Sequence, residues 1–280
     1  MKGLVYYLER WCSTNIPYII KNVITSAFIF GFACNAVKDG AFEVYGSTKS
    51  CLFTLLMCTI WSGIFNSIAL FYSESEYVLD DLDKLISVRD YVIANFIIQV
   101  VLCIIQGIVS TTIFVLFFDF NFKGVLFHNP NFDFLITFIL VAISADMLGF
   151  ATGMLVKNIT SAMALIPILL IAQFLFSGCL FELKGFMKPF AKYTTAQWGY
   201  SALGSISRLN DLMLKVSPEL KIDSMFEATK NNLINDWKYL ILLTIICLFA
   251  SGILLYKKVN YDENKYVLKF PGTLRNQTTK

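Results

Sequence analysis

Few residues in this sequence have the chemistry of a catalytic or metal centre. There is one histidine, His128, and there are seven cysteines: Cys12, Cys34, Cys51, Cys58, Cys103, Cys179 and Cys247. No CxxC pair occurs, every cysteine lies in or beside an apolar run, and none falls within residues 182–236. Thiols in such places behave as small buried hydrophobes, not as a disulfide framework or metal ligands. Asp146 lies near the middle of an apolar run. An ionisable group at bilayer depth costs roughly 2.5–3.5 kcal/mol, so it must be paired, protonated or turned towards protein. Proton coupling would call for a second carboxylate or a histidine in the runs, and none accompanies it. A structural hydrogen bond to Ser144, Thr152 or a neighbouring helix is therefore expected. Gln99, Gln106 and Gln173 read likewise as bonds between helices, with Gln173 the one placed to touch a substrate. No GxxxxGK[ST] phosphate loop is present, which excludes ATP hydrolysis by that route on this polypeptide.

The elements that must hold these residues follow from hydropathy. Of 280 residues, 56% are hydrophobic and only 15% charged, with mean hydropathy +0.63. A soluble domain carries about a quarter charged residues, so this is a polytopic membrane protein, all-α by its apolar lengths. Six transmembrane helices are predicted, over residues 17–37, 48–72, 91–118, 134–156, 159–181 and 237–256. Residues 1–16 form an amphipathic helix in the plane of the interface, with Leu4, Leu8 and Trp11 on one face and Trp11 at headgroup depth. Gly149 and Gly153, four apart, permit close helix approach in the fourth span. Residues 17–257 thus make the membrane domain and 258–280 a basic tail.

Orientation follows the lysines and arginines. The tail carries Lys257, Lys258, Lys265, Lys269, Arg275 and Lys280 against Asp262 and Glu263, which puts it in the cytosol. An even number of spans puts the N-terminus there too, with Lys2 and Arg10. Residues 182–236 are then external, and their second half has the pattern of short amphipathic helices forming a small cap. That segment leaves the bilayer after the fifth span yet stays rich in aromatic and small residues, the pattern of a chain that dips back under the cover of neighbouring helices.

Two stretches resemble a known family. Phe176-Ser177-Gly178, then Pro189, then Trp198-Gly199-Tyr200-Ser201-Ala202-Leu203, resembles the fifth-helix end and re-entrant hairpin of type-2 ABC exporter permeases. The pattern is closest to the G-subfamily type, including bacterial members. Thr48-Lys49-Ser50-Cys51-Leu52-Phe53 and Ile60-Trp61-Ser62-Gly63-Ile64-Phe65-Asn66-Ser67 look like the second helix of the same family.

The resemblance implies a transmembrane permease subunit of an ATP-driven exporter in a bacterial plasma membrane. Its partners are ABC ATPase subunits and a second permease copy or paralogue, with membrane lipid around them and no nucleic acid. ATP and Mg²⁺ sit on the ATPase; this chain is not an enzyme and carries no cofactor. The second and fifth helices of two subunits line a slit, to which Trp61, Phe65, Gln173 and Phe174 would contribute, while Cys179 and Leu180 close its top. Residues 73–90 correspond to the coupling loop, whose short cytosolic helix is seated on the ATPase, with Glu74, Glu76, Asp80, Asp81, Asp83 and Lys84. Relatives mix Glu and Arg there; here acids dominate, which calls for a basic surface on the ATPase. An aromatic, uncharged path favours amphipathic, lipid-like or peptide cargo. The alternative is a stand-alone channel or ion-coupled carrier, which the missing ladder of carboxylates disfavours. A membrane-embedded transferase or protease lacks the histidine cluster or paired acids it would need.

Overall fold

A computed structural model describes residues 2–82, 87–119, 122–156, 158–180, 185, 187–216 and 222–269. Among the described residues there are only helices and connections, with no strand. In chain order they are α1 (Lys2–Thr14), α2 (Ile16–Val37), α3 (Tyr45–Leu82), α4 (Val88–Phe117), α5 (Pro130–Leu155), α6 (Ile159–Leu175), α7 (Met187–Ala191), α8 (Thr195–Ile206), α9 (Leu209–Val216) and α10 (Lys230–Lys269), with a 3₁₀ turn at Ser224–Phe226. Five stretches are long and apolar enough to cross a membrane: α2, Tyr45–Tyr72 of α3, α4, α5 and Lys230–Lys258 of α10.

The fifth expected span, residues 159–181, gives a shorter helix than its hydropathy suggests. α6 has 17 residues, about 25 Å at 1.5 Å per residue. The chain leaves the helix at Leu175 because Ser177 and Gly178 terminate it. Ser177 is fully buried; its hydroxyl donates to Phe174 O at 2.8 Å and accepts from Cys179 N at 3.1 Å. Gly178 then takes φ 78°, a left-handed conformation that a side chain disfavours. These two small residues break the run that the sequence alone carries on to residue 181, which itself lies outside the described residues.

α5 is the centre of the bundle and packs against α3, α4, α8 and α10. Its contact with α3 is a backbone contact. A Cβ on Gly149 would lie 2.6 Å from Ile64 O, and one on Gly63 would lie 3.1 Å from Ala142 O. Gly149 is therefore where the helices meet, as its small size predicts, whereas Gly153 makes room for the Phe71 ring. At the first turn of α5, the buried Asp133 accepts from the backbone N–H groups of Val125, Leu126 and Phe127 at 2.7, 3.1 and 3.2 Å. That carboxylate ties the preceding loop to the helix. Phe114, Phe134 and Phe138, with Phe30 and Phe42 from α2 and its exit, fill the adjoining core through edge-to-face contacts.

α8 is enclosed by α3, α5, α10 and the 3₁₀ turn. Glycines allow this: a Cβ on Gly199 would meet Leu56 Cδ1 at 2.6 Å and Val141 Cγ2 at 2.8 Å, and one on Gly204 would meet the Phe226 ring. Beyond α8 the expected short helices form. α9 buries Leu209, Leu212 and Met213, and the 3₁₀ turn inserts Phe226 against Tyr200.

Three ends differ from the sequence reading. Trp11 is buried, as is Tyr7, and α1 lies along α4 with Tyr7 edge-on to Tyr91 at 5.3 Å. Two aromatic side chains four residues apart find a protein groove there, a contact with α4 that the amphipathic pattern alone does not specify. The acidic stretch after residue 72 is the continuation of α3 to Leu82, not a loop; residues 83–86 lie outside the described residues, and Ser87 caps α4 by accepting from Asp90 N. α10 continues past the apolar span to Lys269, so the first part of the basic tail is helical.

Candidate substrate path and its supports

Polar residues recur at helical spacing on two neighbouring helices, and they face each other. Asn22 and Ser26 on α2 meet Ser62 and Asn66 on α3, with Gln106 reaching across from α4. Ser26 and Ser62 hydroxyls are 2.6 Å apart. Asn22 Oδ1 accepts from Asn66 Nδ2 and, at 2.8 Å, from Gln106 Nε2. Asn66 Nδ2 also donates to Ser62 Oγ at 3.1 Å, and Tyr18 donates to Asn66 O at 2.8 Å. This seam ties three spans together and forms the inner wall of a cavity of about 450 Å³ between α2 and α3. Trp61 and Phe65 form its outer rim, 58% and 44% exposed.

Trp61 and Phe65 thus share one open stripe of α3. Phe174 packs on Phe53 of α3 at 5.1 Å between ring centres and remains 37% exposed. Leu180 is 53% exposed and Cys179 half-buried. Gln173 is set apart from this group. It is buried, and its Oε1 accepts from Ala196 N, in the first turn of α8, at 2.8 Å. Beside it Thr195 shares a hydrogen bond of 2.8 Å with Ser144, halfway along α5. The start of α8 is therefore pinned at mid-bundle depth by two side chains. Gln173 positions α8; it does not line the cavity.

The hairpin residues are structural anchors. Trp198 stacks flat on Tyr239 of α10, with ring centres 3.9 Å apart, and donates to Lys192 O at 2.9 Å. Tyr200 is fully buried, its ring edge-on to Phe53 and its hydroxyl beside the Cys179 thiol. Pro189 lies inside the short α7.

Asp146 is buried, and neither Ser144 nor Thr152 satisfies it: Ser144 turns to Thr195, and Thr152 donates to Leu148 O. Its partner is Gln99 on α4. With the amide nitrogen towards the carboxylate, Gln99 donates to Asp146 Oδ2 at 2.9 Å and Oδ1 at 3.2 Å, and its oxygen accepts from Ser67 Oγ at 3.1 Å. The expected bond to a neighbouring helix is present, so α3, α4 and α5 share one polar chain. Asp236, which sequence reasoning passed over, is equally buried, beside Ser201 of α8.

Of the acidic residues, Glu74, Glu76, Asp80 and Asp81 belong to the last turns of α3, while Asp83 and Lys84 lie outside the described residues. The polar seam as a unit was missed from sequence. The signal was available: Asn22 with Ser26, and Ser62 with Asn66, each four apart in apolar runs. The ABC-2 type transporter family model matches residues 7–203, from α1 into α8. No curated protein matches the chain.

Proposed function

The chain belongs to the ABC-2 type transporter family, a family of membrane transport components that work with ABC ATPases, and from that premise we propose that it is the permease subunit of an exporter. It is a multi-pass membrane protein. Two such subunits, identical or paralogous, enclose a slit between their α3 and α6 helices, and amphipathic, lipid-like or peptide cargo leaves through it. The observation that carries this reading is the open aromatic face of a single chain. Trp61, Phe65, Phe174 and Leu180 are 58%, 44%, 37% and 53% exposed on α3 and at the α6 end. In a membrane such a face meets lipid or another subunit, and the reading takes it to meet the second subunit.

The fold supplies a way to drive that face. α3 runs unbroken from Tyr45 to Leu82, so a displacement of its acidic end moves Trp61 and Phe65 as one rod. The ATPase, holding ATP and Mg²⁺, engages that end and the following residues to 90. Cys179 and Leu180 sit where the α6 helix has ended, and two apolar residues there exclude water when the subunits close. The fifth of the six spans is α6 completed by the turn after Leu175, and α7–α8 form a re-entrant hairpin. Support for the hairpin is the pinning of the α8 start by Gln173 and Ser144, with ten of the twelve α8 residues buried so that its backbone is largely shielded from lipid. Both termini lie in the cytosol of a bacterial cell, as the basic tail favours.

The test is reconstitution of the chain with its ATPase in proteoliposomes. ATP-dependent outward movement of an amphipathic probe is expected, and reversing Asp80 and Asp81 to Lys should abolish it while the spans still insert. Unchanged substrate-stimulated ATP turnover in the double variant would overturn the coupling assignment.

A further inference from the structure

The α2–α3 cavity has an asymmetry that bears on what it holds. Among the described residues its lining contains one charged side chain, Lys21, and no carboxylate. Next to it Asn22 is only 7% exposed. The Asn22 oxygen is fixed towards the seam by donors from Asn66, Gln106 and Ser26. Its amide nitrogen is thereby turned away from them and donates to nothing among the described residues. Asn22 lines the cavity, so this N–H₂ is open to an acceptor held there in place of water. Lys21 and Asn22 thus offer a positive charge and a free donor side by side at one end of the cavity. At the other end are Ile29 and Trp61. Ile29 is eight residues along α2 from Lys21, about 12 Å by helical rise.

We infer that the cavity binds an anionic amphiphile, with its carboxylate or phosphate at Lys21 and Asn22 and its acyl chain along Ile29, Trp61 and Phe65. Lys21 lies near the α2 N-terminus, about 8 Å from Ile16 along the axis, a depth at which a lysine meets lipid headgroups. A head and a tail presented in that order match a molecule taken from one leaflet. Among the described lining residues a cationic amphiphile finds no acid as partner and meets Lys21 instead. The cavity opens beside the proposed slit and shares Trp61 and Phe65 with it; the inference names the slit's cargo class and rests on that reading for its role in transport, but the binding itself needs neither ATP nor the ATPase.

Trp61 makes the binding directly observable. The full chain, in nanodiscs of zwitterionic lipid, is titrated with cis-parinarate, an anionic polyene fatty acid that accepts energy from tryptophan. Its methyl ester and a long-chain alkylammonium serve as neutral and cationic comparisons. A saturable component of transfer, lost in Trp61→Phe while transfer from Trp11, Trp198 and Trp237 remains, is expected for parinarate. Lys21→Met, at an exposed position where folding is not at stake, should weaken parinarate at least tenfold and leave the ester unchanged. The inference is overturned if the ester binds as well as the acid, if the alkylammonium binds better, if Lys21→Met has no effect, or if no Trp61-dependent signal appears. Failure of ATP-driven transport with parinarate binding intact would count against the exporter reading alone.

Discussion

α6 and α8 lie next to each other and invert the usual relation between composition and burial. α6 contains no charged residue, yet Ala162, Ile166 and Gln173 are its only buried positions. α8 carries Thr195, Gln197, Ser201 and Ser205, and ten of its twelve residues are buried. In water the more apolar helix would be the core. In a membrane the apolar helix is free to face lipid or another subunit, and small or hydroxylated residues mark where helices touch. α8 is thus part of this chain's own interior, whereas α6 presents a surface still to be covered.

The sharpest way to break that contrast is to add the same bulk to both helices. Gly199→Val on α8 drives methyl groups into Leu56 and Val141, and overpacking of this kind costs about 1–3 kcal/mol. Loss of monodisperse protein, or a clear fall in Tm in detergent, is expected on fluorescence-detected size exclusion. Ala164→Val on the exposed side of α6 should leave both unchanged. Comparable losses from the two variants would show that α6 is as enclosed as α8.

A second pair separates neighbouring residues of α6. Gln173→Leu leaves the Ala196 N–H without its acceptor, a loss of about 1–3 kcal/mol for a buried donor. Phe174→Leu, on the open side, should change the melting temperature far less. Equal effects would dissolve the distinction between a positioning residue and a path residue.

How much of this was legible beforehand depended on the kind of signal. Apolar length located every long helix, because the 30 Å of hydrocarbon sets a minimum that composition alone satisfies. It failed at the end of α6, where the stop comes from a serine side-chain bond and a glycine backbone angle, neither of which alters hydropathy. It did not specify the groove along α4 that holds Trp11, because an amphipathic helix looks the same whether its apolar face meets headgroups or protein. Asp146 was read correctly as needing a partner on another helix, but which residue supplied it depended on the rotation of α4 against α5. Trp61 and Phe65 were picked out by motif; the cavity beside them was not, since it exists only once α2 is set against α3.

Smaller effects sharpen the account at its edges. Leu180→Asn should raise basal ATP turnover in the reconstituted complex without lowering the melting temperature, because a polar side chain wets an exposed apolar closure. A shift in melting with no change in turnover would make Leu180 a packing residue. Gly252→Ala on α10, where an added Cβ meets nothing within 4 Å, should stabilise the helix by up to about 1 kcal/mol. A fall in Tm would mean that α10 is covered there by another chain.

The central claim is that a second permease subunit covers the face formed by α3 and the end of α6. It is tested most directly by cysteine cross-linking in membranes, in a background where Cys179 is the only cysteine. Leu180→Cys with Cys179 replaced, and Phe249→Cys on the 70% exposed side of α10, serve as companions. Oxidation should join two permease subunits through Cys179 or through the cysteine at position 180, and not through position 249; with a paralogous partner, the cysteine is placed at its matching position. Cross-linking at position 249 with none at 179 or 180 would contradict the account, since the subunits would then meet through α10.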